Sequence, residues 1–191
     1  MTRVTSYLFD DYQSARSAVM ALQEAGFTSK DVSIVASNAD NRHADEKDAS
    51  GAVKGASVGG AVGAGAGILT ALGVLAIPGL GPLVAAGVLA TTLTTTAAGA
   101  AAGGLIGSLT DYGVSEKDAH LYAEGIRRGG TLVTVRASDD RVEAAEAILR
   151  RHDPVDMDSR RSYYAKSGWN AYDPKSAAYS ADEIERERST Y

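Results

Sequence analysis

Three histidines, two aspartate pairs and the arginine pair Arg127-Arg128 are residues of this chain whose types suit chemistry. His43, His120 and His152 stand far apart in the sequence. Each sits in a polar setting that suits an exposed histidine better than a metal ligand. Asp10-Asp11 and Asp139-Asp140 put carboxylates side by side, as general acid–base work requires. Each pair, however, directly precedes a stretch of helical periodicity, where an aspartate caps the first turn. Arg127-Arg128 suits a phosphate or an anionic headgroup, yet at a helix end the same cations complement the macrodipole. Gly63-Ala64-Gly65-Ala66-Gly67 is glycine-rich, but no Lys-Ser or Lys-Thr follows it, so it lacks the cation of a phosphate-binding loop. The chain has no cysteine, which removes disulfides, thiolate ligands and a thiol nucleophile together. These residues imply no catalytic set, no cofactor and no metal site; the expectation is a protein that is not an enzyme.

A different pattern dominates the middle of the chain. Gly51, Gly55, Gly59, Gly63 and Gly67 recur at every fourth position, and Gly87, Thr91, Thr95, Gly99, Gly103 and Gly107 continue the step. After Lys54 no charged residue appears until Asp111. Glycine costs a helix about 1 kcal/mol per site relative to alanine. Such a row therefore implies close approach of a second backbone, whose dispersion contacts offset that cost. The segment Pro78-Gly79-Leu80-Gly81-Pro82 interrupts the run, and Pro78, Gly79, Gly81 and Pro82 mark a tight turn. The reading is a glycine-zipper hairpin of two apolar helices over residues 51–110, with the glycines as its packing positions.

The flanks that must position this hairpin look alike. Residues 4–9 alternate as a half-buried strand, and Asp10 or Asp11 caps a helix with Ala15, Ala18, Val19, Leu22 and Ala25 on one face, ended by Gly26. Val32 to Ala36 is a second strand. Beyond the hairpin, Ser115 caps a helix with Ala119, Tyr122, Ala123 and Ile126 inward. Thr131 to Arg136 is a strand, Ser138 or Asp139 caps a helix carrying Val142, Ala145, Ile148 and Leu149, and Pro154 to Met157 reads as a short final strand. The fold expected is α+β: a ferredoxin-like sandwich of two βαβ halves with helices on one face, interrupted by the helical hairpin. Residues 1–50 hold the first half and a polar connector, 51–110 the hairpin, and 111–157 a helix with the second half. Residues 158–191 scatter Tyr163, Tyr164, Trp169, Tyr172, Tyr179 and Tyr191 among charges without period and read as a disordered tail, with Ala181 to Arg188 forming at most a short charged helix.

Several of these stretches together resemble a known family. Phe9-Asp10-Asp11, Gly26-Phe27, Asp31-Val32-Ser33-Ile34-Val35, the central zipper, Tyr112-Gly113-Val114-Ser115-Glu116-Lys117-Asp118-Ala119, Tyr122, and Gly125 through Val135 are similar to bacterial general stress proteins of the heat-induced, YflT-like kind. The resemblance covers residues 3 to 157. It implies a stress-induced protein, cytoplasmic or membrane-associated, with no established enzymatic activity and no catalytic residues to carry over.

Composition narrows the partners. The net charge of −5 offers nothing to neutralise a run of phosphates, so nucleic acid is not expected. The first ten residues lack the apolar core and cleavage signal of a secretion leader. The expected function is a non-enzymatic stress-response protein whose hairpin mediates membrane association or helix packing. Its partners would be other copies of itself and membrane lipid, and its place the cytoplasm, at the inner face of the membrane where lipid is the partner. A soluble homo-oligomer or filament with buried hairpins is the alternative, and a small-molecule-sensing regulatory domain a second one.

Overall fold

A computed structural model of the chain describes residues 2–39, 73–77, 80–87, 89–90 and 103–190. The first strand, β1 (Thr2–Phe9), leads into helix α1 (Tyr12–Glu24), and Asp11 rather than Asp10 caps it, accepting from the Ser14 backbone N–H at 2.8 Å. Strand β2 (Val32–Ser37) follows as expected. The next two elements depart from the expectation. Gly73–Ile77 and Gly81–Ala86, which were to be helical arms, are strands β3 and β4 of a β-hairpin, with Leu80 donating to the Ile77 carbonyl at its tip. Gly81 and Pro82 thus open a strand instead of joining two helices, while Pro78 and Gly79 lie outside the described residues. Helix α2 (Gly103–Asp111) and helix α3 (Glu116–Arg127) follow, and Ser115 caps the latter by accepting from Asp118 N–H at 3.1 Å.

Strand β5 (Thr131–Ser138) is the clearest strand in the sequence and stands between β1 and β2. Helix α4 (Val142–Arg150) starts from Arg141, with no side-chain cap, so neither Ser138 nor Asp139 plays the capping role expected of it. The residues after it, expected as a strand, contribute one backbone bond, Val155 N–H to the Leu8 carbonyl at 2.8 Å. Two further helices complete the chain, α5 (Met157–Lys166) and α6 (Ala181–Arg188).

The sheet has five strands, all antiparallel to their neighbours, in the order β1-β5-β2-β4-β3. Two-residue alternation sends side chains to opposite faces, and here both faces are covered. Val133, Val135, Ile34, Ala36 and Val84 meet α1 and α4 on one face; Leu132, Val35, Leu83 and Ala85 meet α2 and α3 on the other. The expectation of helices on one face only is corrected by this second layer. A strand covered on both faces shows no alternation of burial, and all six residues of β2 are buried, including Ser33, whose hydroxyl accepts from the Leu89 N–H, and Ser37.

The C-terminal stretch is also corrected. Residues 158–190, expected as a flexible tail, fold against the body through α5 and α6, and Tyr164, Tyr172 and Ile184 are buried. A capping box formed by Ser180 and Glu183 starts α6, at the bounds expected for a short charged helix.

The caps give a pH prediction. Partial burial raises the Asp11 carboxyl, but hydrogen bonds from Ser14 and Gln13 outweigh this and hold its pKa below the usual value of 3.8. A folded pKa below the unfolded one means stability that is present above about pH 4 and is lost as pH falls through the folded value. Asp11→Ala is therefore expected to cost about 1 kcal/mol near pH 7 and less below pH 3. Urea unfolding at the two pH values measures it; an equal cost at both would show that the charge is irrelevant to the cap.

Candidate functional site

The densest polar cluster lies where the C-terminal helices meet the end of α3. Glu124 sits on the buried side of that helix, its side chain 1% exposed. Residues three and four positions along a helix share its face. Arg127 and Arg128 therefore both reach back to Glu124: Arg127 donates from Nη2 at 2.8 Å and Nε at 3.0 Å, and Arg128 from Nε at 2.7 Å. Arg128 also donates to Glu187 of α6 at 2.6 Å, and its guanidinium lies 4.1 Å from the ring centre of Tyr164. Arg127 stacks on Tyr179 at 4.6 Å and donates to the Ala177 carbonyl.

Two cations thus meet two carboxylates among aromatic rings. Burial alone would lower the pKa of Arg128, but its hydrogen bonds to Glu187 and Glu124 dominate and hold it above the ordinary arginine range. Burial raises Tyr179, and the nearby arginines pull the other way without cancelling it. Tyr172, buried beneath this cluster, is pushed up to about 12, so it is a neutral phenol at any physiological pH. A groove of about 510 Å³ opens beside the cluster, walled by Arg127, Arg128, Tyr163, Trp169, Tyr179 and Glu187. The arrangement orients and packs: Arg127 and Arg128 beside the groove each already donate to protein acceptors.

The residues singled out in the sequence fall into separate places. Asp10 accepts both terminal nitrogens of Arg160, at 2.7 and 2.8 Å. Asp139 faces Arg3 at 3.6 Å. Asp11 therefore caps, Asp10 and Asp139 pair with arginines, and Asp140 shares a hydrogen bond with the Ser138 side chain. His120 lies 4.0 Å from Glu116 on one side of α3, His152 follows α4, and His43 lies outside the described residues. Among the described residues no group of three or more His, Cys, Asp or Glu side chains is placed to hold a metal.

The zipper positions do not share a role. Gly51, Gly55, Gly59, Gly63, Gly67 and Gly99 lie outside the described residues. Gly103 begins α2. Gly107, inside α2, has no heavy atom within 4 Å of where a Cβ would stand. Gly87 is not helical; it follows β4 with φ +85°, and a Cβ there would overlap the Val32 carbonyl oxygen.

Sequence reading missed Glu124 as the centre of the cluster. The signal was present as a glutamate followed at three and four residues by arginine, a spacing that pairs charges along one helix face. No family model matches the chain, and neither a curated protein nor a solved structure matches it.

Proposed function

We propose that this is a non-enzymatic self-associating protein, in which small-residue segments held by a folded body pack against other copies. The observation that carries the reading is the fate of the uncharged run. Its middle is part of the body's own core: Ile77, Leu80, Leu83, Val84, Ala85 and Ala86 are buried there. This divides the rest of the run into residues 55–72 and 91–102, and the described residues before and after each belong to one folded unit. Two helical passes through a bilayer need roughly 40 apolar residues. Neither segment is that long, and a single pass would put parts of one sheet on opposite sides of the membrane. Among the described residues no helix is long and apolar enough to cross a membrane. Small residues at every fourth position remain suited to close backbone packing, and a second copy supplies an identical surface.

The body is read as a variant of the ferredoxin-like sandwich. β1-α1-β2 straddles β5, and β5-α4 returns the chain to the outer edge of β1 at Val155, as a second βαβ half would. The stress-response role rests on the resemblance of the flanking motifs.

The full chain is expected to elute in detergent-free buffer as an assembly larger than a monomer, and Gly59→Leu with Gly63→Leu to dissociate it. Light scattering after gel filtration measures both. A monomer at every concentration that floats with vesicles of phosphatidylglycerol and phosphatidylethanolamine would replace this reading with membrane association. A monomer that leaves vesicles alone would refute both.

A further inference from the structure

The C-terminal strap, residues 153–190, is joined to the body by features that fit a second copy as well as its own. Its anchors are dispersed and directional. Arg160 forks onto Asp10, Arg161 donates to Asp118 at 2.6 Å, Arg128 to Glu187, and Arg188 to the Gly129 carbonyl at 2.7 Å. Gly129, at φ +94°, lacks a side chain where Ile184 docks, and Ala178 packs against Gly81 at the start of β4. Charge and shape together make the strap's own sequence the occupant that matches this surface.

The connection to the body is short. After α4 ends at Arg150, the chain turns through Asp153 at φ +52°, a left-handed conformation unusual for a residue with a side chain, and Pro154 stiffens the next position. Val155 is then already docked on Leu8. A terminal element with specific sockets, joined through a short hinge in a sparsely populated conformation, has the makings of domain exchange.

We infer that the strap exchanges between copies, so that residues 153–190 of one chain occupy the sockets of another and both chains keep every contact of the closed monomer. None of the strap contacts named above uses a residue of 55–72 or 91–102, and exchange requires no contact between those segments.

Charge reversal tests it in the full-length chain. Asp10→Arg opposes Arg160 with a like charge, and Arg160→Asp opposes Asp10, so in either variant the strap is weakened both on its own body and on a second copy of the same variant. Mixed, they complement: Arg160 of the first variant meets Asp10 of the second, and the two introduced side chains, opposite in charge, meet each other. With Gly59→Leu and Gly63→Leu added to every chain to remove association through the small-residue segments, the expected result by native mass spectrometry is a one-to-one heterodimer that appears only on mixing, while the chain carrying both reversals behaves as the unreversed chain does. Two folded variants that do not combine would overturn the inference. A second measurement covers variants that fail to fold: a short Gly-Ser insertion between Asp153 and Pro154 in the otherwise unaltered chain relaxes the hinge and favours closure in one chain. It is expected to lower the dimer fraction at concentrations on the order of the millimolar effective concentration of a short tether. An unchanged dimer fraction would count against exchange. Because Gly59→Leu with Gly63→Leu changes no residue of the strap or of the contacts named for it, failure of the packing reading and failure of strap exchange give separate results.

Discussion

Glu124→Ala is expected to destabilise the protein by about 3–5 kcal/mol, the loss seen when one partner of a buried ion pair is removed. The reason lies in what remains after truncation. Arg127 and Arg128 have side chains 13% and 7% exposed, and together they direct three nitrogen donors at the Glu124 carboxylate. Without it, Arg128 retains Glu187, but Arg127 keeps only the Ala177 carbonyl and the Tyr179 ring among the contacts described above, neither of them a counter-charge. Water must then enter a seam lined by Tyr164 and Tyr179, or a cation stays buried without its counter-charge. A loss of this size corresponds to a melting temperature lower by on the order of 10 °C for a chain of this length. Thermal unfolding followed by circular dichroism measures it. Glu124→Gln keeps the shape without the charge and should fall between wild type and alanine. A loss below about 1 kcal/mol for Glu124→Ala would mean the network is solvated and contributes as a surface pair does.

The second large effect is expected at Gly87. Gly87→Ala should cost about 3 kcal/mol, combining the strain of a left-handed backbone with a steric overlap that side-chain rotation cannot relieve. The obstructing atoms are backbone: the carbonyl of Val32 and, at 2.8 Å, the Cα of Ser33. Moving them disturbs β2 beside its pairing of Ile34 with Ala86. Gly107→Ala provides the contrast. It meets nothing within 4 Å and removes a glycine from a helix interior, so a gain of up to about 1 kcal/mol is expected. Both glycines belong to the same four-residue step in the sequence, and chemical denaturation of the two variants separates their roles. Equal losses at both would restore Gly107 as a packing contact.

The flanking elements were readable because local signals decide them. Asp11 and Ser115 cap where a side-chain oxygen precedes a helical period, and Thr131–Ser138 carries the β-branched residues of a strand. The β3-β4 hairpin was not readable. Gly73–Ile77 and Gly81–Ala86 are short apolar runs, and in such runs periodicity does not distinguish a buried strand from a buried helix. Their state is decided by β2, whose residues Ile34 to Ser37 pair with Leu83 to Ala86. The strap was hidden for a related reason. α5 has hardly any apolar periodicity, and it is held by Arg160 on Asp10, Arg161 on Asp118 and the buried Tyr164 against Arg128, all partners distant in sequence.

Local chemistry is thus written in the order of the amino acids: which residues cap, which stretches bear a core face, where charge is missing, and that aspartates and histidines far apart in sequence do not announce a reaction. What becomes of the uncharged run and of the arginines depends on the folded arrangement. Part of that run is core because β2 offers it a ladder of backbone partners. Arg127 and Arg128 form an internal clasp because Glu124 and the strap surround them with acceptors and rings. The β2 ladder and the strap are distant in sequence, so no local pattern encodes them, whereas the pairing with Glu124 is written in a spacing of three and four residues.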